Sequence, residues 1–239
     1  MLKVRRRRQA RELALAALKK NPKEPLAAVV MAELELRSED LPAAVEHLAR
    51  ALDREDPHRH VLELLARIRI QQEDYLAAAD LYDLGRKKFP NNAGWLKGLA
   101  RAYSKVGDEN KLKTTLKELS RLDADNIGVR KKLAEMELAA ENYAAALAHS
   151  KSALHIDVLD PDIHRMLAGA YLGLKQYTKV IEECQVSLEL KPNDVAVIYH
   201  LATAYAETGD KAAARTQLRT LLKENPSHVK AKKLLQQLE

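Results

Sequence analysis

The sequence predicts an all-α chain of tandem helical hairpins. Three observations carry that reading: an apolar skeleton that returns every 34 residues, a composition poor in turn formers, and capping residues at matching places in each period. The pattern is clearest at 195–228, VAVIYHLATAYAETGDKAAARTQLRTLLKENPSH, which reads as two amphipathic helices of about 14 residues. The first breaks at Gly209 and Asp210, and the second stops at Asn225 and Pro226. Ile198, Leu201, Ala202, Tyr205, Ala214, Leu218, Leu221 and Pro226 form its skeleton, and this recurs five more times upstream without an insertion.

Composition agrees with the pattern. Eight glycines and eight prolines in 239 residues are too few for a many-turned all-β chain, and 4% aromatic residues leave a core of Leu and Ala. Small Ala side chains suit helices that approach closely. The formal charge of +6 is unevenly placed. Residues 1–24 hold nine Lys and Arg against two Glu, while the remainder is balanced to within one charge. Basicity therefore belongs to a short N-terminal arm and gives no argument for nucleic acid. A single cysteine, Cys184, excludes an intrachain disulfide and leaves the compartment undecided, with the cytosol favoured. No apolar run approaches the roughly 18–20 residues that span a bilayer. The run at 13–18 is shorter than the apolar region of a secretory signal. The expectation is a soluble segment without cofactor or metal.

Taken in order, residues 1–24 read as the second half of a repeat, with Ala10, Ala14, Ala17 and Pro22 on the skeleton positions. A start inside a repeat suggests a segment of a larger protein. Six full repeats follow at 25–58, 59–92, 93–126, 127–160, 161–194 and 195–228, and 229–239 forms a capping helix. A large apolar residue and an Ala stand side by side in every repeat: Met31-Ala32, Leu65-Ala66, Leu99-Ala100, Leu133-Ala134, Leu167-Ala168 and Leu201-Ala202. The second helix carries a matching row, Ala44, Ala78, Leu112, Ala146, Val180 and Ala214, as knob-and-hollow packing requires. Asp40, Asp74, Asp108 and Asp210 are expected to cap the second helices, with Asn142 in the same role and Gln176 a poor substitute. Asn92, Asn126, Asp160 and Asp194 are expected to cap first helices. Pro22, Pro90, Pro192 and Pro226 follow helix ends. One hairpin cannot bury its own apolar faces, so neighbouring repeats must stack.

With this period and these positions the chain resembles the tetratricopeptide repeat family. It departs from the family pattern where the fourth residue of each repeat lacks the usual aromatic, most sharply at Arg130 and His164. It departs again where Glu35, Arg69 and Glu137 replace the tyrosine found as Tyr103, Tyr171 and Tyr205. The resemblance implies a right-handed superhelical solenoid whose first helices line a concave groove. That surface would be read at the second, fifth, sixth, ninth, twelfth and thirteenth residues of each repeat. On that geometry the groove is largely apolar in the first two repeats, with Val30, Leu36, Leu64 and Ile70 beside Arg37 and Arg67. It turns basic in the middle, with Lys97, Arg101, Lys105, Lys131 and Lys132, and ends with Arg165, Met166, Tyr199 and His200. Gly98 and Gly169 fall mid-helix on the same rows, either clearing room for ligand atoms or admitting a close neighbour. The expected ligand is a peptide or partner protein with an apolar end and an acidic segment. The sixth-position row holds no Asn, so the carboxylate clamp that some members use for chaperone tails is not present in its usual form.

Other chemistry finds little support. His58 and His60 lack the Cys or carboxylate set that would complete a zinc shell. Cys184 lies on a core row and reads as a buried thiol, and no phosphate loop, His-Glu-x-x-His motif or catalytic triad is present. The chain is expected not to be an enzyme. Arg5, Arg6, Arg7 and Arg8 could meet an acidic membrane or nucleic acid, but read first as a solvated helix end. Leu13, Leu18 and Leu26 would form an apolar edge open to a second copy. The leading reading is a protein-interaction scaffold. Its alternatives are an accessory segment of a multidomain enzyme or membrane-anchored assembly factor, and a nucleic-acid-binding helical repeat.

Overall fold

A computed structural model describes the backbone from Leu2 to the C-terminus and side chains from Arg5 onward, so Met1 and the side chains of 2–4 lie outside the described residues. Fourteen α-helices and no strand occur among them. In chain order these are α1 (Leu2–Lys20), α2 (Pro25–Arg37), α3 (Leu41–Ala51), α4 (Arg59–Gln71), α5 (Tyr75–Lys88), α6 (Ala93–Val106) and α7 (Glu109–Leu122). The series continues with α8 (Ile127–Ala139), α9 (Tyr143–Leu154), α10 (Pro161–Gly173), α11 (Tyr177–Leu190), α12 (Val195–Glu207), α13 (Lys211–Glu224) and α14 (Val229–Leu238). From α2 onward both the first and the second helix of each hairpin start at intervals of 34 residues. The chain divides into two compact units, residues 1–123 with α1–α7 and residues 124–239 with α8–α14.

The turn inside each hairpin explains the constant period. Its fifteenth repeat residue is always left-handed: Glu39, Glu73, Gly107, Glu141, Lys175 and Gly209. That conformation closes the first helix as a Schellman motif. The next residue donates its backbone N–H to the carbonyl five residues back, as in Asp40 to Glu35 (3.0 Å), Asp74 to Arg69 (2.9 Å) and Asp108 to Tyr103 (3.1 Å). The same Asp then caps the following helix, accepting from Ala43, Ala77 and Lys111 respectively. One residue thus ends a helix and begins the next. An inserted residue would break both functions at once.

Asn142 departs from expectation. It makes no side-chain cap bond to α9, and its amide instead donates to Glu137 Oε2 at 3.1 Å. The reason is Glu137 itself, a carboxylate buried where other repeats hold tyrosine. Glu35, at the equivalent place, is held by Arg11 of α1 at 3.1 Å, and Arg69 lies 3.7 Å from Asp74. The aromatic place filled by His164 is resolved the same way: Nδ1 lies 2.7 Å from Glu183 and Nε2 lies 3.0 Å from the Val158 carbonyl. Polar substitutes in the core therefore bring polar partners, as a buried hydrogen-bonding group requires.

The large–small pairs of all six repeats are buried, and so is the whole facing row from Ala44 to Ala214. The first unit adds an aromatic cluster between α5 and α6. Trp95, the chain's one tryptophan, stacks on its one phenylalanine, Phe89, with centroids 5.9 Å apart, and meets Tyr82 edge-on at 6.3 Å. Gly85 lies under the Trp95 ring, and a Cβ there would collide with it. The second unit has no counterpart to this cluster and centres on Ile163, Leu167, Tyr171, Val180 and Cys184. Burial pushes the Cys184 thiol up to about 12, with Glu183 and Asp194 adding to the effect, so it stays an unreactive thiol.

Candidate functional site

The predicted groove residues come from first helices, and each unit gathers some of them into one concavity. In the first unit a cup of about 310 Å³ opens between Leu36, Leu64, Arg67, Ile68, Ile70, Gln71, Tyr82 and Arg101. Leu64 and Ile70 are buried floor residues on α4, a helix that buries seven of its thirteen residues. Arg67 and Arg101, the ninth residues of successive repeats, stand exposed at the rim. Neither forms an ion pair among the described residues. Burial raises the pKa of Tyr82, and Arg101 and Arg67 pull it the other way, so both guanidinium groups act on the same wall.

Gly98 builds this cup from behind. A Cβ on Gly98 would overlap the Tyr82 ring, so the glycine admits a neighbouring side chain rather than ligand atoms. Tyr82 lies on a second helix and outside the six predicted groove positions. Two signals could have found it. It is the one aromatic on the row Leu48, Tyr82, Leu116, Ser150, Cys184 and Leu218, and Gly98 is a mid-helix glycine one repeat later.

Several predicted residues lie elsewhere. Val30 is half-buried and packs on Ala14, Ala27 and Met31 with α1 residues Ala17 and Leu18, so it is covered rather than offered. Arg37 turns toward α1 and lines a different cleft. Lys97 is paired with Asp123 at 2.9 Å, and Lys105 is exposed outside the cup. Of the predicted basic middle only Arg101 reaches this cup, where it joins Arg67 from the repeat before. Lysine is more strongly hydrated and flexible, and here it finds an acidic neighbour at a helix end.

In the second unit the concavity, about 320 Å³, is lined by Glu135, Leu138, Arg165, Met166, Gly169, Ala196 and His200. Its charges are already balanced. Lys131 contacts Asp160 at 2.7 Å and Asp162 at 3.5 Å, Lys132 lies 3.6 Å from Glu135, and Arg165 contacts Asp162 at 3.1 Å. Burial opposes charge on Lys131, but Asp160 and Asp162 outweigh it and hold its pKa above the ordinary lysine value. Burial lowers the pKa of His200, with Arg165 adding to the effect, so the imidazole is neutral at pH 7. Gly169 leaves real space: a Cβ there would meet Leu138 and His200 at 3.6 and 3.7 Å, ordinary contact distances. Tyr199 is drawn aside by His228, with ring centroids 5.2 Å apart.

His58 and His60 meet edge-on, with centroids 5.5 Å apart. No group of three or more potential metal ligands occurs among the described residues. None of their helices is long and apolar enough to cross a membrane. On α1 and α2, Leu13 is 73% and Leu26 56% exposed, whereas Leu18 packs inward and leaves the predicted apolar edge.

Comparison with known proteins adds the following. Tetratricopeptide repeat patterns match at 2–60 and 29–93, and again at 174–238. No curated protein matches the sequence. Among solved structures, YrrB, described as a TPR protein with an unusual peptide-binding site, is 13% identical. The match covers 92% of this chain and 96% of that one, with a TM-score of 0.64. MamA residues 41-end from Desulfovibrio magneticus RS-1 is 17% identical over 71% of this chain and 96% of its own, with a TM-score of 0.60. The Cut9 and Hcn1 hetero-tetramer of the APC/C gives 17% identity over 97% of this chain and 46% of that one, with a TM-score of 0.55. At these identities the likeness is one of fold.

Proposed function

We infer the function from one premise: the chain belongs to the tetratricopeptide repeat family, whose members of this fold serve as protein-interaction scaffolds. We propose that it is a non-catalytic scaffold holding an extended segment of a partner protein on its first helices. The observation that carries this is the cup of the first unit, an apolar floor of Leu36, Leu64 and Ile70 under two guanidinium groups without ion-pair partners. Such a site takes a bulky apolar side chain with a carboxylate beside it, because each guanidinium offers a planar fork of donors to a carboxylate. Apolar burial supplies affinity, and the arginines set direction and register. The open concavities leave bound groups in contact with water, which suits gripping a chain better than excluding solvent from a reaction. The nucleic-acid reading has little to stack bases on: Tyr199, the aromatic on the predicted groove rows, packs against His228, and Tyr82 is backed by Gly98 and Trp95.

A peptide-display selection on the intact chain tests the reading. It should enrich an acidic residue next to Leu, Ile, Met or Phe, and the Arg67→Glu/Arg101→Glu variant should lose that enrichment. Selection of basic or unpatterned peptides by the unaltered chain would sink it. A second copy is a further partner of this kind, since Leu13 and Leu26 remain open. Sedimentation over a range of concentrations should then show a mass that falls on Leu13→Glu substitution, and a constant monomer rejects self-association.

A further inference from the structure

A second concavity, of about 380 Å³, shares no residue with the cup. It is lined by Arg7, Arg8 and Arg11 of α1 with Leu34, Arg37 and Ser38 at the end of α2. Arg7 and Arg11, one turn apart on α1, lie on one face, and the Arg11–Glu35 pair turns that face toward α2. Two carboxylates already reach the cluster: Glu35 holds Arg11 at 3.1 Å, and Glu12 holds Arg8 at 3.0 Å in a pair exposed on both sides. Arg7 and Arg37 have no ion-pair partner among the described residues. Glu35 stands between the two helices, on Arg11 and 3.4 Å from Ser38 Oγ, so the two carboxylates balance Arg8 and Arg11 and leave Arg7 and Arg37 as the net positive charge of the cleft. At the end of α2 the Glu35 and Leu36 carbonyls accept from the backbone N–H groups of Ser38, Glu39 and Asp40, and the Leu34 carbonyl accepts from Ser38 Oγ. Leu34 gives the arginine stems an apolar wall to lie along.

We propose that this cleft binds a phosphate monoester on a partner protein, a phosphorylated side chain rather than a flat lipid surface. Two open guanidinium groups match one compact dianion, and phosphate accepts bidentate donation from each. A side chain projecting from a peptide can bring its phosphate between α1 and the end of α2, where Arg7 and Arg37 converge. Arg5 and Arg6 do not line the cleft and serve as internal controls.

The test is a calorimetric titration of the full chain with a short Gly/Ser peptide carrying one phosphoserine. Its unphosphorylated twin and phosphatidylcholine vesicles containing phosphatidylserine are titrated alongside. The phosphopeptide should bind and the twin should not. Arg7→Ala and Arg37→Ala should each weaken binding about tenfold, the loss of one charge-assisted fork. Arg5→Ala and Arg6→Ala should change it less than about twofold, as expected of screened surface charges. Arg67→Glu/Arg101→Glu should leave it unchanged, which separates this site from the cup. Equal losses from Arg5→Ala, Arg6→Ala and Arg7→Ala would overturn the proposal in favour of a diffuse charge run. Binding to vesicles with none to the phosphopeptide would overturn it in favour of a lipid surface, and binding to neither would reject the site.

Discussion

The two units place a cup on the same repeat positions and finish it with opposite electrostatics. In the first, Leu36 and Ile70 stand at the twelfth residue, Leu64 at the sixth, and Arg67 and Arg101 at the ninth. In the second, Leu138, Met166 and Gly169 take the corresponding places, and Asp162 neutralises Arg165. Only the first keeps uncompensated charge. The difference teaches that a groove position predicts location, whereas the residues at helix ends decide what that position can bind. Asp160, Asp162 and Asp194 cap or open α10 and α12, and their second oxygens reach the basic side chains nearby.

The largest expected effect falls on the core behind the first cup. Trp95→Ala removes a fully buried ring stacked on Phe89 and should cost about 3–5 kcal/mol. Urea denaturation checks this, with Leu167→Ala in the second unit as the comparison at about 2–5 kcal/mol. A loss below about 1 kcal/mol at Trp95 would mean the aromatic cluster does not organise that unit.

Next comes the charge contrast itself. Reversing both rim arginines should weaken an acidic-apolar peptide by about 1–2 kcal/mol, since both charges are exposed, while Arg165→Glu in the second unit should change its binding little. Equal losses from both would erase the distinction between the cups.

Acid should affect the second unit through Asp160. Burial pushes this carboxyl up, but Lys131 and the backbone N–H groups of Asp162 and Ile163 more than offset it and hold its pKa below the ordinary 3.8. A depressed carboxyl stabilises the fold fully above its unfolded value and loses that contribution as pH falls through the folded one. Asp160→Asn keeps the cap and removes the charge, so it should cost about 1 kcal/mol at pH 7. The gap from the unaltered chain should close as pH drops below about 4. A gap independent of pH would assign the loss to packing.

The smallest effects lie in the turns both units share. Glu39, Glu73, Glu141 and Lys175 sit at φ between 56° and 62°, where Gly107 and Gly209 stand in the other two repeats. Glycine at any one of the four should raise stability by about 0.5 kcal/mol, since relief of left-handed strain exceeds the added freedom of the unfolded chain. Additive gains across the units in denaturation midpoints would confirm that the turns are equivalent.

Much of this was legible before any coordinates. The 34-residue period placed hairpins, caps and buried rows because local rules set them: apolar spacing, a carboxylate ahead of a helix, proline after one. Even the left-handed turn could have been read by aligning Gly107 with Gly209. What the alignment missed was spatial. It left Gly98 open between ligand space and close packing because nothing in the chain says that Tyr82 fills the place. It counted Lys97 and Lys131 as open charge because their acids lie on other helices or turns, whereas the acid beside Lys132 is Glu135 on the same helix. It left Leu18 on an exposed edge that α1 covers by its own rotation against α2.

The sequence by itself determined the family, the hairpin register and which residues face inward, since these follow from periodicity within a few turns of helix. Tertiary structure alone decided which cations remain unpaired and where two helices leave a hollow. The pairs of Lys97 with Asp123 and of Lys131 with Asp160 join residues some thirty positions apart, and short-range pattern carries no information about those.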